Sequence, residues 1–155
     1  MFDALQEMLE LVERFRSEDI DYAVCGGLAM AVHGFVRATE DIDILVEAES
    51  LPRVRRVAAA CGFRLLGGDV EFRSGARLTR LLKTAPADED YLMLDLMLVS
   101  DATRDAWNSR EAMNTPWGGI RVISKSALKA MKQQAGRPQD LVDIQRMDEP
   151  PDELH

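Results

Sequence analysis

The chain is predicted to fold as a mixed α/β (α+β) domain, a central sheet flanked by helices. Three observations carry that prediction. Apolar residues recur at helical spacing near both ends of the sequence. Two-residue alternation and short apolar runs mark strands between them. The resulting order, helix, strand, helix, strand, helix, several strands, then helices, suits helices layered on a mixed sheet. With 155 residues, 46% of them hydrophobic, the chain has material for one real core. The expected organisation is a single domain over residues 1–148 and a flexible tail over 149–155.

The first helix runs from Ala4 to Phe15, where Leu5, Met8, Leu9, Leu11, Val12 and Phe15 form an apolar stripe. Asp21 to Cys25 is a short apolar strand ended by Gly26-Gly27, and a helix follows from Leu28 to His33. Asp41 to Val46 alternates at its start, so its two faces meet different surroundings. Pro52 opens the next helix, since proline is tolerated in a first turn; Val54, Val57, Ala58 and Cys61 supply its apolar side and Gly62 ends it. Phe63 to Leu66, Val70 to Arg73 and Leu78 to Lys83, separated by Gly67-Gly68 and Ser74-Gly75, read as strands of a meander. Tyr91 to Val99 is the most apolar strand, with Leu92, Leu94, Leu96 and Leu98 sharing one face. After a turn at Trp117-Gly118-Gly119, Ile120 to Ile123 is the last strand. Helices over Lys125 to Ala135 and from Pro138 to about Met147 close the domain.

Composition narrows the function classes. The longest charge-free stretch, Tyr22 to Val36, is broken by glycines and is shorter than the roughly 20 apolar residues of a membrane span. The N-terminus lacks a basic region followed by an apolar run, so a cytoplasmic location is expected. Cys25 and Cys61 have no paired spacing and read as small core residues. The net charge of −8 argues against a generally basic, nucleic-acid-binding surface. Between Arg53 and Lys83, however, eight basic residues face two acidic ones, leaving this segment at +6 and the remainder at −14. That segment is either a local basic wall or a set of arginines solvating a helix and a hairpin.

Asp41 and Asp43 lie two apart on a strand, so both carboxylates leave one face while Ile42 and Ile44 enter the core on the other. Such a pair suits a hard divalent cation, which takes oxygen ligands from a few carboxylates and from substrate phosphates. Alone, an Asp-x-Asp pair also fits glycosyltransferases, aspartyl phosphatases or a solvated edge strand. Asp95 adds weight because Met93, Leu94, Leu96 and Met97 surround it in sequence. A carboxylate buried there must be protonated, paired with a cation or bound to metal. A salt bridge to one of the many arginines is the competing explanation. Gly26-Gly27, between a strand and a helix, would let the backbone approach a phosphate closely. Arg37 and Thr39 precede the acids and are candidate phosphate or ribose contacts.

These elements, Val24-Cys-Gly-Gly-Leu-Ala, Arg37-Ala-Thr-Glu-Asp-Ile-Asp-Ile and Leu94-Asp95-Leu96, resemble the signature of the DNA polymerase beta-type nucleotidyltransferase superfamily. The Arg-x-Thr-x-Asp-x-Asp form, with Lys132, Gly136-Arg137 and Asp140-Leu-Val-Asp-Ile, is similar to a small bacterial branch. That branch holds abortive-infection toxins and lincosamide or aminoglycoside nucleotidyltransferases. The resemblance implies the nucleotidyltransferase fold and transfer of a nucleoside monophosphate from a nucleoside triphosphate to an acceptor hydroxyl, with release of pyrophosphate. It implies Mg²⁺ (or Mn²⁺) held by Asp41, Asp43 and Asp95, with Asp95 also a candidate general base. Gly26, Gly27, Arg37, Thr39 and Lys132 would bind the nucleotide, with Lys125 and Lys129 near the same helical face as Lys132.

Two departures qualify the expectation. Gly27 stands where many members carry serine, and the chain lacks a large helical domain for choosing an acceptor. The acceptor, whether RNA, a protein or a small hydroxylated compound, would then be chosen by the basic segment, a second subunit or a partner protein. The alternative function is a partner-binding component of a toxin–antitoxin type system with little or no catalysis. Three acids kept together favour the enzyme.

Overall fold

The computed structural model describes residues 2–65, 69–73, 75–85, 87 and 89–152. Its elements run α1 (Ala4–Ser17), β1 (Ala23–Cys25), α2 (Gly26–Val32), β2 (Asp41–Val46), α3 (Leu51–Ala60), β3 (Arg64–Leu65), β4 (Val70–Glu71) and β5 (Arg77–Ala85). There follow β6 (Asp90–Leu98), α4 (Arg104–Asn108), β7 (Glu111–Thr115), β8 (Gly118–Val122), α5 (Lys125–Ala135) and α6 (Pro138–Met147). The strands form one sheet in the order β3-β5-β6-β2-β1-β8-β7, with β4 hydrogen-bonded to β5 off that path. β2 pairs parallel with β6, and β1 parallel with β8, while β1–β2, β5–β6 and β7–β8 are antiparallel. The sheet is therefore mixed, as predicted.

Burial follows the alternation. Ile42 and Ile44 of β2 and Leu94 and Leu96 of β6 are fully buried, packed with Met8, Leu11 and Phe15 of α1 and Val54 of α3. α1 starts cleanly because the Asp3 side chain accepts hydrogen bonds from the amides of Leu5 and Gln6, filling two of the donors a helix start leaves open. The opposite face of β2 and β6 carries the three acids and borders a cleft.

Several boundaries differ from the sequence reading, for local reasons. The glycine pair is not a turn ahead of the second helix: Gly26 and Gly27 are its first two residues. The strand read as Val70 to Arg73 pairs only over Val70–Glu71, and β5 runs longer in both directions than Leu78 to Lys83. Two elements carry no clear sequence signal. α4 is five residues long and has no side-chain cap, and β7 is a largely exposed edge strand without apolar alternation. The expected Leu66 end of one strand, the Gly67-Gly68 turn, Ser74 and residues 153–155 of the tail lie outside the described residues. Up to Asp152 the tail folds back on the chain. The Asp152 amide donates to the Gly34 carbonyl at 2.6 Å, and its carboxylate accepts from the Val36 amide at 3.0 Å.

Candidate active site

The site forms where β2 lies between β1 and β6. Asp43 is in register with Cys25 on β1 and with Asp95 on β6. Parallel neighbours in register project the same way, so the Asp43 and Asp95 side chains stand side by side. Asp41, opposite Met93, shares that face two residues along.

The three acids differ in their surroundings. Asp95, 8% exposed, is held by the guanidinium of Arg80, its partner across β5–β6: Nε donates to Oδ1 at 2.8 Å and Nη2 to Oδ2 at 3.1 Å. Such a fork is the strong, geometrically fixed form of ion pair. Asp43 makes no hydrogen bond or ion pair among the described residues. Burial, followed by the charges of Asp95 and Asp41, pushes its carboxyl up to about 7, against the pull of Arg137 and Lys132. Asp41 is exposed, yet burial and the Asp95 charge raise it too. Asp41 also makes no hydrogen bond or ion pair among the described residues but is exposed to water, so the acid left uncompensated away from solvent is Asp43. Of the explanations open for a buried Asp95, the salt bridge to an arginine is the one present in this structure. Among the described residues no three Asp, Glu, His or Cys side chains form a ready-made metal-binding group.

Gly26 is where β1 meets this acid. It sits at φ +66°, and a Cβ there would collide with Asp43 Oδ2 and lie 2.8 Å from Asp43 Cγ. Only glycine allows the backbone to turn in front of the carboxylate. Gly27 is needed for a different reason. A Cβ there would collide with Thr39 Oγ1 and come within 3.0 Å of Arg37 Nη2. The Thr39 hydroxyl therefore occupies the place where a residue-27 side chain would begin, so a hydroxyl is still present at that spot. Burial, with the charges of Asp43 and Asp95 behind it, raises the Cys25 thiol well above its ordinary value, so it is no nucleophile near neutral pH.

Lys132 is buried, at 6% exposure, rather than part of a solvated lysine face. Its ammonium donates to Asp143 at 2.9 Å and lies 3.9 Å from Asp140. Lys129 instead pairs with Asp148, and Lys125 sits 5.0 Å from the centre of the Phe35 ring. Arg37 reaches the same acid: Nη2 donates to Asp143 at 3.1 Å, Nη1 donates to the Ala38 carbonyl at 2.9 Å, and its buried Nε has no hydrogen-bond partner. Arg137 clasps Asp140 at 2.8 Å and leaves most of its side chain exposed at the cleft. Burial works to raise Asp140 and Asp143, but their hydrogen bonds to Arg137 and to Lys132 and Gln139 outweigh it, and both carboxyls titrate low.

Sequence reasoning missed Arg80, Asp140 and Asp143 as site residues. The i,i+3 spacing of Asp140 and Asp143 was the available signal, since it puts both on one face of α6. That face points inward while Leu141 and Val142 are 57% exposed, the reverse of ordinary amphipathic packing. Asp43, Arg80, Asp95, Lys132 and Arg137 border one cavity of about 660 Å³, walled by the β4–β5 hairpin on one side and α5 on the other.

The sequence profile of the aminoglycoside-2''-adenylyltransferase family matches residues 7–147. The lincomycin-bound crystal structure of the lincosamide antibiotic adenylyltransferase LnuA superposes with a TM-score of 0.68 at 18% identity, covering 92% of this chain and 95% of that one. The solution structure of the antibiotic-resistance factor ANT(2'')-Ia gives 0.65 at 17% identity, covering 94% of this chain and 84% of that one. Its crystal structure with adenylyl-2''-tobramycin gives 0.65 at 15% identity, covering 92% and 86%. A search of the curated proteins by sequence finds no match.

Proposed function

This chain belongs to the aminoglycoside-2''-adenylyltransferase family and is a nucleotidyltransferase, and on that basis we propose that it moves AMP from ATP to a hydroxyl of a small acceptor, releasing pyrophosphate. The observation that carries this reading is Asp43, set in register with Asp95 directly in front of Gly26. LnuA, matched over 95% of its length, is lincomycin-bound, which supports a small acceptor.

Asp41, Asp43 and Asp95 are the residues that would hold Mg²⁺ (or Mn²⁺). Their fit rests on Asp43, a carboxylate pushed up to about 7 by burial and by two neighbouring acids, with no cation paired to it. When bound, the ion would neutralise triphosphate charge and polarise the reacting oxygens. The chain's own residues do the rest. Gly26 and Gly27 keep side chains out of the phosphate approach. The Thr39 hydroxyl and Arg37 contact the nucleotide from the loop before β2. Lys132 and Arg137 place positive charge within reach of the triphosphate and hold α5 and α6 against the sheet. Asp95 takes the proton of the acceptor hydroxyl once Arg80 releases it. A site that consumes a nucleoside triphosphate supports a cytoplasmic location. No helix among the described residues is long and apolar enough to cross a membrane.

One observation favours the alternative, a partner-binding component of a toxin–antitoxin type system: the Arg80 fork closes on Asp95 where a cation ligand would be free. The two readings separate in one assay. The protein is incubated with Mg²⁺ or Mn²⁺ and each α-labelled nucleoside triphosphate, with lincomycin, tobramycin, total RNA or cell extract as acceptor. Transfer from ATP that disappears in Asp43→Asn is expected. No Asp43-dependent transfer from any nucleotide would favour the binding component.

A further inference from the structure

Arg80 holds the acid that a bound metal would need. Across the sheet, Arg80 on β5 lies opposite Asp95 on β6, Asp95 lies beside Asp43 on β2, and Asp43 lies opposite Cys25, the residue before Gly26. Residues in one such row project to one face. The row therefore has the guanidinium at one end, two acids in the middle and the glycine pair at the other end. Arg80 uses both oxygens of Asp95, Nε on Oδ1 and Nη2 on Oδ2. Any cation that takes an oxygen of Asp95 displaces a hydrogen bond of Arg80, so ion and guanidinium compete for one carboxylate.

Once displaced, Arg80 needs another anion. A guanidinium does not shed its proton near neutral pH. The hydrogen bond to Asp95 and that acid's charge, with smaller contributions from Asp41 and Asp43, hold the Arg80 pKa above its ordinary value against the effect of burial. The positive charge must therefore move as a charge. Besides Asp43 and Asp95, the cavity is lined by one carboxylate, Asp140, which Arg137 clasps. Asp69 is held by Arg55 and by Thr79, whose side chain leaves the other face of β5. The anion that can receive Arg80 is thus one that enters with the substrate. Arg80 has room to reach it, since its side chain is 41% exposed and borders the cavity. The planar fork of donors that now holds a carboxylate fits a phosphate equally well.

We infer that Arg80 is a further nucleotide-binding residue, whose guanidinium leaves Asp95 for an oxygen of the triphosphate as that carboxylate turns to the cation. The inference rests on the nucleotidyltransferase reading above and adds a residue to that site. The effect of Arg80 changes sign with the ligand present. Without nucleotide, Arg80 guards Asp95 and opposes metal binding. With nucleotide, it adds a charge-assisted contact, so cation and triphosphate are admitted together.

The test measures binding of Mn²⁺ alone, and of a non-hydrolysable ATP analogue at saturating Mn²⁺, to the full chain and to Arg80→Met and Arg80→Gln. Electron paramagnetic resonance counts free Mn²⁺, calorimetry follows the nucleotide, and circular dichroism checks the fold. Arg80→Met is expected to bind Mn²⁺ alone at least about ten-fold tighter than the parent, and the analogue at least about ten-fold weaker. Arg80→Gln keeps a hydrogen-bonding group without the charge and should move both affinities in the same directions, so either folded variant decides. A merely structural loss would weaken both ligands and would not tighten Mn²⁺. Mn²⁺ binding unchanged or weaker, or analogue binding unchanged or tighter, would overturn the inference. Asp43-dependent label transfer by the parent, beside unshifted affinities in both variants, would overturn this role and keep the transferase. No binding of the analogue to the parent, with no transfer from any nucleotide, would overturn both.

Discussion

At the scale of single residues, the site turns on which carboxylate lacks a partner. The sequence displays all three aspartates and their shared face, because a strand's period of two is readable from one strand alone. It does not display which arginine lies opposite Asp95, because cross-strand register between β5 and β6 is a property of the folded pair. Hence Asp95 reads as the acid that most needs a cation, metal or arginine; Arg80 supplies it, and Asp43 is left uncompensated. A pH dependence follows. Asp43 is raised in the folded protein, from an unfolded value near 3.8 to about 7. A raised group contributes stability that is full below the unfolded value and lost as pH rises through the folded one. Without divalent cation, the melting temperature should therefore fall between about pH 4 and pH 8, with a slope from this one group of at most about 1.4 kcal/mol per pH unit. Asp43→Asn should flatten that slope and melt higher than the parent at pH 8; an unchanged pH profile in the variant would refute the assignment. Gly26→Ala should destabilise by about 1–3 kcal/mol in chemical denaturation, because it forces a Cβ into Asp43 at a positive φ.

At the scale of elements, α5 and α6 are joined by a buried charge cluster beside the core residues Leu128 and Met147. Lys132 of α5 meets Asp140 and Asp143 of α6, while Leu141 and Val142 face outward. Both helices are legible in the sequence from their periodicity, Pro138 and Gly136, and their observed bounds agree with the reading. Which face of α6 turns inward is hard to read, since Leu141 and Val142 point outward while Met147 shares the inward face with Asp140 and Asp143. Lys132→Met should cost about 1.5–3 kcal/mol, because it removes the buried cation between two buried acids and leaves them Arg37 and Arg137 as ion-pair partners. Lys132→Met combined with Asp143→Leu should recover part of that loss. A double variant no more stable than Lys132→Met would show that the cluster does not act as a unit. α4 and β7 stay hidden for a simpler reason: elements of five residues without caps or alternation lack a period long enough to detect.

At the scale of the whole molecule, the chain's end and its site are connected. The Asp152 contacts to Gly34 and Val36 brace the loop that carries Arg37 and Thr39 and leads into Asp41, and Arg146 holds Asp152 from α6. Composition gives no hint of this, because Pro-Pro followed by acidic residues resembles any frayed terminus. Ending the chain after Glu149 should lower stability by about 1–2 kcal/mol, the worth of one or two hydrogen bonds and an ion pair. It should also speed hydrogen exchange at the Val36 amide; unchanged exchange there would mean the brace is not formed in solution. The uneven charge has a comparable explanation. Arg73 and Arg80, from the segment carrying +6, border the cleft. Arg55 and Lys83, from the same segment, are spent on Asp69 and Glu7 elsewhere, so the basic wall is only partly a feature of the site.

The central claim is that Asp41, Asp43 and Asp95 gather on a divalent cation when nucleotide binds. The most direct measurement is a crystal structure grown with Mn²⁺ and a non-hydrolysable ATP analogue, read by the anomalous signal of manganese. The account predicts a manganese peak coordinated by all three aspartates and the triphosphate, with Arg80 withdrawn from Asp95. A bound nucleotide with no manganese at Asp43, or manganese bound while the Arg80 fork stays closed on Asp95, would contradict it.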